Sequence, residues 1–449
     1  VLRVEMRERV NAMDPRGWDH YDEIEEVAGE KLLSLVYERL IRIDDSGKPQ
    51  AGLATSWQHD ANFTHWQFQL RTGVKFHDGT PLSAAIVADA LRSEESGPWP
   101  VSVLGSAVAF EFENPRPSLL EELSTGRSFV FRPSQDTVFG TGPFRITDWQ
   151  PQKYLALIAW EEYWAGRPFV DRIEIGLGVA GQQQITDLAT GKADVIEVLP
   201  SQIRAVAQIS GARVSVSEPA ELLALAVAPF GSGSNDPRIG QALSLAVDRT
   251  AIVNVLLQRQ GEPAGSLLPQ WISGYAFLFP TSRDVVRAQR IRAEYSASPL
   301  KLLVYDSDDP SAVLIAQRIA VNARDAGINL IVAAESTRTA DSLDVRLFRW
   351  RIRGPDARAA IENFVSGSSE KGDRPPSMTL DTPEQRYAAE RAVLDRGRII
   401  PVAFVPEIYG VGAAVKDWMP PRWGGWRLED VWLEQAPGAG SSKSGTGNN

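Results

Sequence analysis

The sequence predicts an α/β fold divided over more than one domain, on three observations. Its 449 residues exceed what one hydrophobic core commonly holds. Leu302–Tyr305, Ala312–Ala326 and Ile328–Ala333 read as strand, helix and strand, with Gly327 ending the helix, an order that favours parallel pairing. Trp66–Leu91, WQFQLRTGVKFHDGTPLSAAIVADAL, reads as a strand, a turn and a helix in immediate succession.

The elements follow in order along the chain. Leu2, Val4 and Met6 alternate with Arg3, Glu5 and Arg7, the period of a strand that ends near Asp14-Pro15. Glu25–Leu40 reads as a helix, apolar at Val27, Leu32, Leu35, Val36 and Leu40. In the Trp66 block, Trp66, Phe68 and Leu70 share one strand face. His77–Pro81 then makes a turn with Gly79 free to take positive φ, and Ser83 caps a helix from Ala84 to Leu91. A Gly-, Pro- and Ser-rich stretch, Ser93–Ser106, interrupts before Val108–Phe112. Phe144–Ile146, Tyr154–Ala159 and Ile173–Leu177 are further strands, and Gln184–Leu188 is a short helix.

Leu222–Val227 is a continuous apolar run of the kind that a buried strand shows. Asp236-Pro237-Arg238 opens a long helix, Ile239–Leu257, with proline at an early position. Leu343–Ile352 is a later strand. Thr382-Pro383 starts a charged helix that stops at Gly397. Ala436–Asn449 is rich in Gly and Ser and is expected to be disordered. The sequence contains no internal repeat.

Composition excludes several classes. Hydrophobic residues make up 43% and charged residues 23%, ordinary for a soluble globular chain. A net charge of −10 argues against nucleic acid and against an anionic membrane surface. With no cysteine, disulfides, thiolate metal sites and cysteine nucleophiles are impossible. His20, His59 and His65 show no ligand-like spacing, and no Gly-x-Ser-x-Gly, Walker or dinucleotide motif occurs. No metal site or cofactor built by the protein is therefore expected, and no enzymatic activity. The chain begins Val-Leu-Arg-Val without Met, and the expectation is that a leader was removed upstream.

Six short motifs occur in one order. They are Met13-Asp14-Pro15, Val36–Leu40, Gly52–Trp57, the Trp66–Leu91 block, Thr141–Phe144 with Tyr163–Gly166, and Asn235–Arg249. In this order they resemble the family 5 solute-binding proteins, the peptide and nickel receptors of ABC importers. That resemblance implies a two-lobed periplasmic-binding-protein-like α/β fold (type II, cluster C) with a subdomain inserted in the first lobe. It places the first lobe at 1–41, 137–227 and 401–434, the inserted subdomain at 42–136, the second lobe at 228–400 and a disordered tail at 435–449. It also implies a small-molecule or peptide ligand, ABC permease subunits as partners and a monomer. The localisation it implies is periplasmic or on the outer face of the cytoplasmic membrane, peripheral to it and lipid-anchored through the removed N-terminus.

Peptide-binding members of the family carry a Gly-Trp-x-x-Asp segment in the second lobe, whose Asp pairs the ligand's α-ammonium. Here the nearest stretch keeps Trp350 and has Asp356 downstream, lacks the upstream acid, and sets Arg349, Arg351 and Arg353 at alternate positions. On a strand these arginines share a face. One reading points that face into the cleft for an anionic ligand, because Arg suits bidentate contact with carboxylate or phosphate. The other reading is a solvated edge strand protected by charge, which charge rows more often are. Trp18 and His20, after the Asp14-Pro15 turn, read equally as cleft-lining or as ordinary loop residues.

His77 and Asp78 read as turn structure, since adjacent residues in a tight turn seldom converge on one ion. Tyr409, Trp418, Trp423 and Trp426 read as first-lobe packing. The leading expectation is a receptor that closes on its ligand and delivers it to an importer. The alternative is a diverged relative acting as a sensory or structural interaction protein without transport.

Overall fold

The computed structural model describes residues 1–16, 23–92, 99–124, 128–135, 137–227, 236–275, 278–295, 300–304, 310–333, 344–352, 354, 357, 360–361, 382–423 and 425–434. The expected tail at 435–449 lies outside these residues.

The chain opens with β1 (Leu2–Glu5) and α1 (Glu23–Leu33). The inserted region follows with β2 (Ala54–His59), β3 (His65–Leu70), α2 (Ala84–Arg92), β4 (Val101–Leu104) and β5 (Ala107–Glu111). Next come β6 (Phe144–Gln150), β7 (Tyr154–Ala159), β8 (Arg172–Gly176), α3 (Gly181–Ala189), β9 (Val195–Glu197) and β10 (Arg213–Val216). Then come β11 (Glu221–Val227), α4 (Pro237–Ala246), β12 (Glu262–Pro263), β13 (Leu300–Val304), α5 (Pro310–Asp325), β14 (Leu330–Ala333) and β15 (Asp344–Arg351). The described chain closes with α6 (Pro383–Leu394), β16 (Ile399–Val405) and β17 (Ile408–Val411), before short pairings near its end.

Three sheets organise these elements. The first runs β6-β7-β8-β1-β9-β17-β10, with β1 parallel to β8 and to β9. The second runs β12-β16-β11-β15-β13-β14, with β13 parallel to β14 and to β15. The inserted region has its own sheet, β2-β3-β5-β4. Each sheet covers a separate core, around Leu2, Leu157 and Val411 in the first, Leu225, Ile315 and Val402 in the second, and Phe68, Val87 and Phe110 in the third. This is a two-lobed α/β fold with an inserted subdomain.

The chain crosses between the lobes at two adjacent places. Residues 217–220 connect β10 of the first sheet to β11 of the second, and residues 406–407 connect β16 back to β17. The expected boundaries after 227 and after 400 thus move. β11, expected with the first lobe, pairs with β15 and β16 along its whole length, and β16 belongs to the second sheet up to Val405. The two connections are tied together. Ser217 N donates to Glu407 O at 2.9 Å, and Glu407 N donates to Ser217 Oγ at 2.9 Å.

Two helix expectations are corrected. The helix expected over Glu25–Leu40 stops at Leu33, because the Arg39 and Leu40 carbonyls accept hydrogen bonds from Leu53 and Gly52 instead of from a next helical turn. The helix expected over Ile239–Leu257 breaks at Val247, which is extended (ψ 124°). Asp248 then caps a new turn by accepting from Ala251 N at 2.9 Å, and the buried Arg249 binds the carbonyls of Ala264 and Pro401, each at 2.8 Å. Arg249 ties helix, loop and sheet together, a use that needs the chain to turn there.

The Trp66–Leu91 block turns out to dock onto another motif. Gly79 takes a φ of 86° in the turn, and Asp78 Oδ1 accepts from Thr80 N at 3.0 Å. His77 N donates to Gly140 O and His77 Nε2 donates to Gly142 O, both at 2.9 Å. A side chain on Gly142 would collide with the Val36 carbonyl at 2.7 Å, so glycine permits the close approach that His77 reads. Burial pushes the His77 imidazole down to about 4, so it is neutral at physiological pH.

Candidate functional site

In open α/β sheets, ligands are held beyond the carboxyl ends of the parallel strands. Here those ends are Glu5 to Glu8 after β1, Glu197 on β9 and Arg351 on β15. A chain of buried charges joins them through the 406–407 connection. Lys31 of α1 places its Nζ 3.0 Å from Glu197 and 2.9 Å from Glu407. Arg351 Nη1 pairs with Glu407 from the other lobe and lies 3.6 Å from Glu221. Tyr409 donates its hydroxyl to Glu407 Oε2 at 3.0 Å, and Arg349 stands 3.8 Å from Glu221.

The electrostatics follow from burial set against partners. Burial opposes ionisation of Glu407, but Arg351 and Lys31 outweigh it and hold the carboxyl at about 2. Burial likewise opposes the Lys31 charge, and Glu197 and Glu407 override it, keeping the ammonium well above its ordinary range. Glu197 goes the other way. Its own burial, and then the Glu8 carboxylate beside it, push it up to about 8. Glu8 is held below the ordinary carboxylate range despite its burial, chiefly by its hydrogen bond with Glu197 and by Lys31. The pair therefore shares one proton at neutral pH.

This arrangement revises the arginine row. β15 is an interior strand between β11 and β13, so the solvated-edge reading does not hold. Arg351 has only 3% of its side chain exposed and is committed to two protein carboxylates. Arg349 lies on the same face beside Glu221, while Trp350 points to the opposite face and packs with Trp271, Ile352 and Trp423. Trp18, His20, Arg353 and Asp356 lie outside the described residues.

Tyr409, Trp418 and Trp426 are in the first-lobe core, with Trp426 Nε1 donating to Tyr409 at 3.4 Å. Trp423 differs. Its ring meets Trp271 of the second lobe edge-on at 4.9 Å, and the Arg422 guanidinium sits 4.9 Å over the Trp271 ring while donating to Asp45 O at 2.9 Å. This strap joins both lobes and the inserted region.

Sequence reasoning missed Lys31, Glu197, Glu221 and Glu407. One signal was present, a lone acid in the otherwise apolar run Pro401–Val411. A recess beside the strap, lined by Tyr37, Arg42, Trp426 and Glu429 among others, has Glu38 as its polar centre. Glu38 pairs with Arg42 and accepts from Thr141 at 2.9 Å, Tyr163 at 3.1 Å and Trp164 at 2.9 Å. Among the described residues, no group of three or more His, Asp or Glu side chains is placed to hold a metal ion.

Comparison with known proteins places this architecture. Residues 48–372 match the family model for bacterial extracellular solute-binding proteins, family 5. The nickel-binding protein NikA of Staphylococcus aureus is 23% identical over 65% of this chain and 63% of its own length. The probable D,D-dipeptide-binding periplasmic protein DdpA of Escherichia coli is 23% identical over 73% of this chain and 68% of its own. The first of these matches thus spans less than two thirds of the relative. Among solved structures, a dipeptide-binding protein from Pseudoalteromonas in complex with Met-Leu aligns over 96% of this chain and 100% of its own, with a TM-score of 0.81 at 16% identity. NikZ from Campylobacter jejuni in complex with Ni(L-His) aligns over 96% and 99%, also with a TM-score of 0.81, at 18% identity. With two lobes, an inserted subdomain, two adjacent crossings and a family match over most of its length, the chain belongs to the bacterial extracellular solute-binding proteins of family 5.

Proposed function

We propose that the protein is an extracytoplasmic receptor that captures a peptide-like or other polar small ligand between its lobes and delivers it to the permease subunits of an ABC importer. The observation that carries this reading is the meeting of the parallel-strand ends of both lobes at two adjacent, mutually hydrogen-bonded connections. Two connections side by side allow rotation about one axis, and a ligand touching both lobes favours the closed arrangement. Relatives named for nickel and for dipeptides support both a free peptide and a metal chelate as cargo, the metal then being part of the ligand. Members of this family are binding proteins rather than enzymes.

The first lobe comprises the residues before the inserted region, those from about 137 to 216 and those after 407. Arg349 contributes to the cleft wall, with Arg351 bracing it from below. The protein works as a monomer in the periplasm or at the outer face of the cytoplasmic membrane. Among the described residues no helix is long and apolar enough to cross a membrane.

The test is native mass spectrometry of gently purified protein, followed by a thermal-shift screen of dipeptides, small organic anions and the nickel–histidine complex. A retained small molecule that raises the melting temperature in a saturable way is the expected result, since a ligand bound only by the native state stabilises it. No retained molecule and no stabilisation across the screen would contradict the reading.

A further inference from the structure

The buried charge chain is not arranged as an ordinary structural ion-pair cluster. The two cations at its centre belong to different lobes, Lys31 to the first through α1 and Arg351 to the second through β15. The carboxylate between them belongs to neither, because Glu407 lies on the connection itself. Both cations address the same oxygen, Glu407 Oε1. The second oxygen accepts from Tyr409, and the backbone N–H is held by Ser217 of the other connection. Glu407 is thus fixed at the axis, and rotation of the lobes must change how Lys31 and Arg351 stand to each other across it.

We propose that Glu407 is a positioning residue that sets the balance between open and closed lobes, acting as the negative charge that holds two like-charged groups, Lys31 and Arg351, together across the hinge. With the carboxylate present, each cation is attracted to the axis. With it neutralised, two buried ammonium and guanidinium charges face each other with one fewer counterion, and repulsion in a low-dielectric setting drives the lobes apart. The remaining charged groups around the chain are Glu8, Arg7 and Glu197 on the first-lobe side and Glu221 and Arg349 on the second-lobe side. The Glu8–Glu197 pair, with its one negative charge, still faces Lys31 and Glu221 still lies near Arg351, so each lobe keeps a local partner while the link between lobes is lost. Any ligand that needs the closed form then binds more weakly by the same factor, whatever its chemistry.

The proposal rests on the receptor reading for that last consequence, but its test does not need a ligand. The chain has no cysteine, so cysteines introduced at the exposed Gln182 on α3 and Gln317 on α5 carry spin labels at those two positions alone. Lobe separation is measured by pulsed dipolar spectroscopy in the unliganded protein, for the parent, Glu407→Gln, Arg351→Met and the double variant. The expected order of mean distance is parent shortest, Arg351→Met and the double variant intermediate, and Glu407→Gln longest. In Arg351→Met the attraction is lost, and in Glu407→Gln repulsion replaces it. A Glu407→Gln distance no longer than that of Arg351→Met, or one that Arg351→Met fails to shorten in the double variant, overturns the proposal. If Glu407→Gln does not fold, the comparison of Arg351→Met with the parent decides, and an Arg351→Met distance no longer than the parent's overturns the proposal. Failure of every ligand to bind would contradict the receptor reading and leave the distance order to decide this one.

Discussion

Lys31 Nζ lies 2.9 Å from Glu407 and 3.0 Å from Glu197, so one buried ammonium serves two carboxyl groups, one on the connection between the sheets and one at the end of β9. Breaking a buried pair by removing one partner costs more than the pair contributes, because the other charge stays buried and uncompensated. Lys31→Met therefore destabilises the first lobe by about 3–5 kcal/mol in chemical denaturation. A loss under about 1 kcal/mol, the range of an exposed pair, would show that Lys31 is solvated in solution.

Glu197 makes stability fall with rising pH. Its folded carboxyl is raised to about 8 from an ordinary 4.5, so between those values the native state binds a proton that the unfolded chain does not. The contribution is present below about 4.5 and lost as pH rises through about 8. Glu5 and Glu390, both pushed up to about 7 first by burial, act with the same sign. The melting temperature should decline from pH 6 to pH 9, and Glu197→Gln should flatten part of that decline. An unchanged slope in the variant would exclude the shared proton.

His77 acts with the opposite sign on the acid side. Its folded imidazole is depressed to about 4, so the unfolded chain takes up a proton first as pH falls below the ordinary value of 6.5. Stability is then lost between about pH 6.5 and 4, by up to about 3 kcal/mol for this one group. Replacing His77 by Gln, which keeps a donor toward Gly142, should lower stability at pH 7 but remove this acid-limb slope in urea titrations.

Glu38 is a separate anchor between the first lobe and the inserted region. It joins Arg42, Thr141, Tyr163 and Trp164, and Glu38→Ala removes the acceptor of the Arg42 guanidinium, of the buried Thr141 and Tyr163 hydroxyls and of the half-buried Trp164 indole. A cost of about 3 kcal/mol or more is expected, with increased proteolysis between residues 42 and 136 as the accompanying sign. Equal loss of stability in all three cores, without selective cleavage, would argue that Glu38 serves the whole molecule.

How legible all this was in the sequence depends on the range of each interaction. Strands such as Leu2–Glu5 and His65–Leu70 show a period of two because one face is buried, and the strand–helix–strand order at Leu300–Ala333 follows from short connections. The helix break at Val247 was hidden, since it depends on Arg249 reaching the carbonyls of Ala264 and Pro401, far along the chain. The boundaries at 217–220 and 406–407 were hidden for a similar reason. An apolar strand such as Leu222–Val227 reads the same whichever sheet it joins. Most of all, Glu407, Glu197 and Lys31 are common residue types at unremarked spacings, and 376 positions separate the two members of the Lys31–Glu407 contact. The arginine row was visible, but only its neighbours in the sheet decide that Arg351 turns to Glu407 and Glu221.

The proposed receptor closes its two lobes on a ligand about the connections at 217–220 and 406–407. Small-angle scattering of the protein, alone and with a saturating ligand taken from the thermal-shift screen, tests this closure most directly. A smaller radius of gyration and loss of the inter-lobe minimum in the distance distribution are expected when ligand is bound. An identical scattering curve with and without a ligand that demonstrably binds would contradict it.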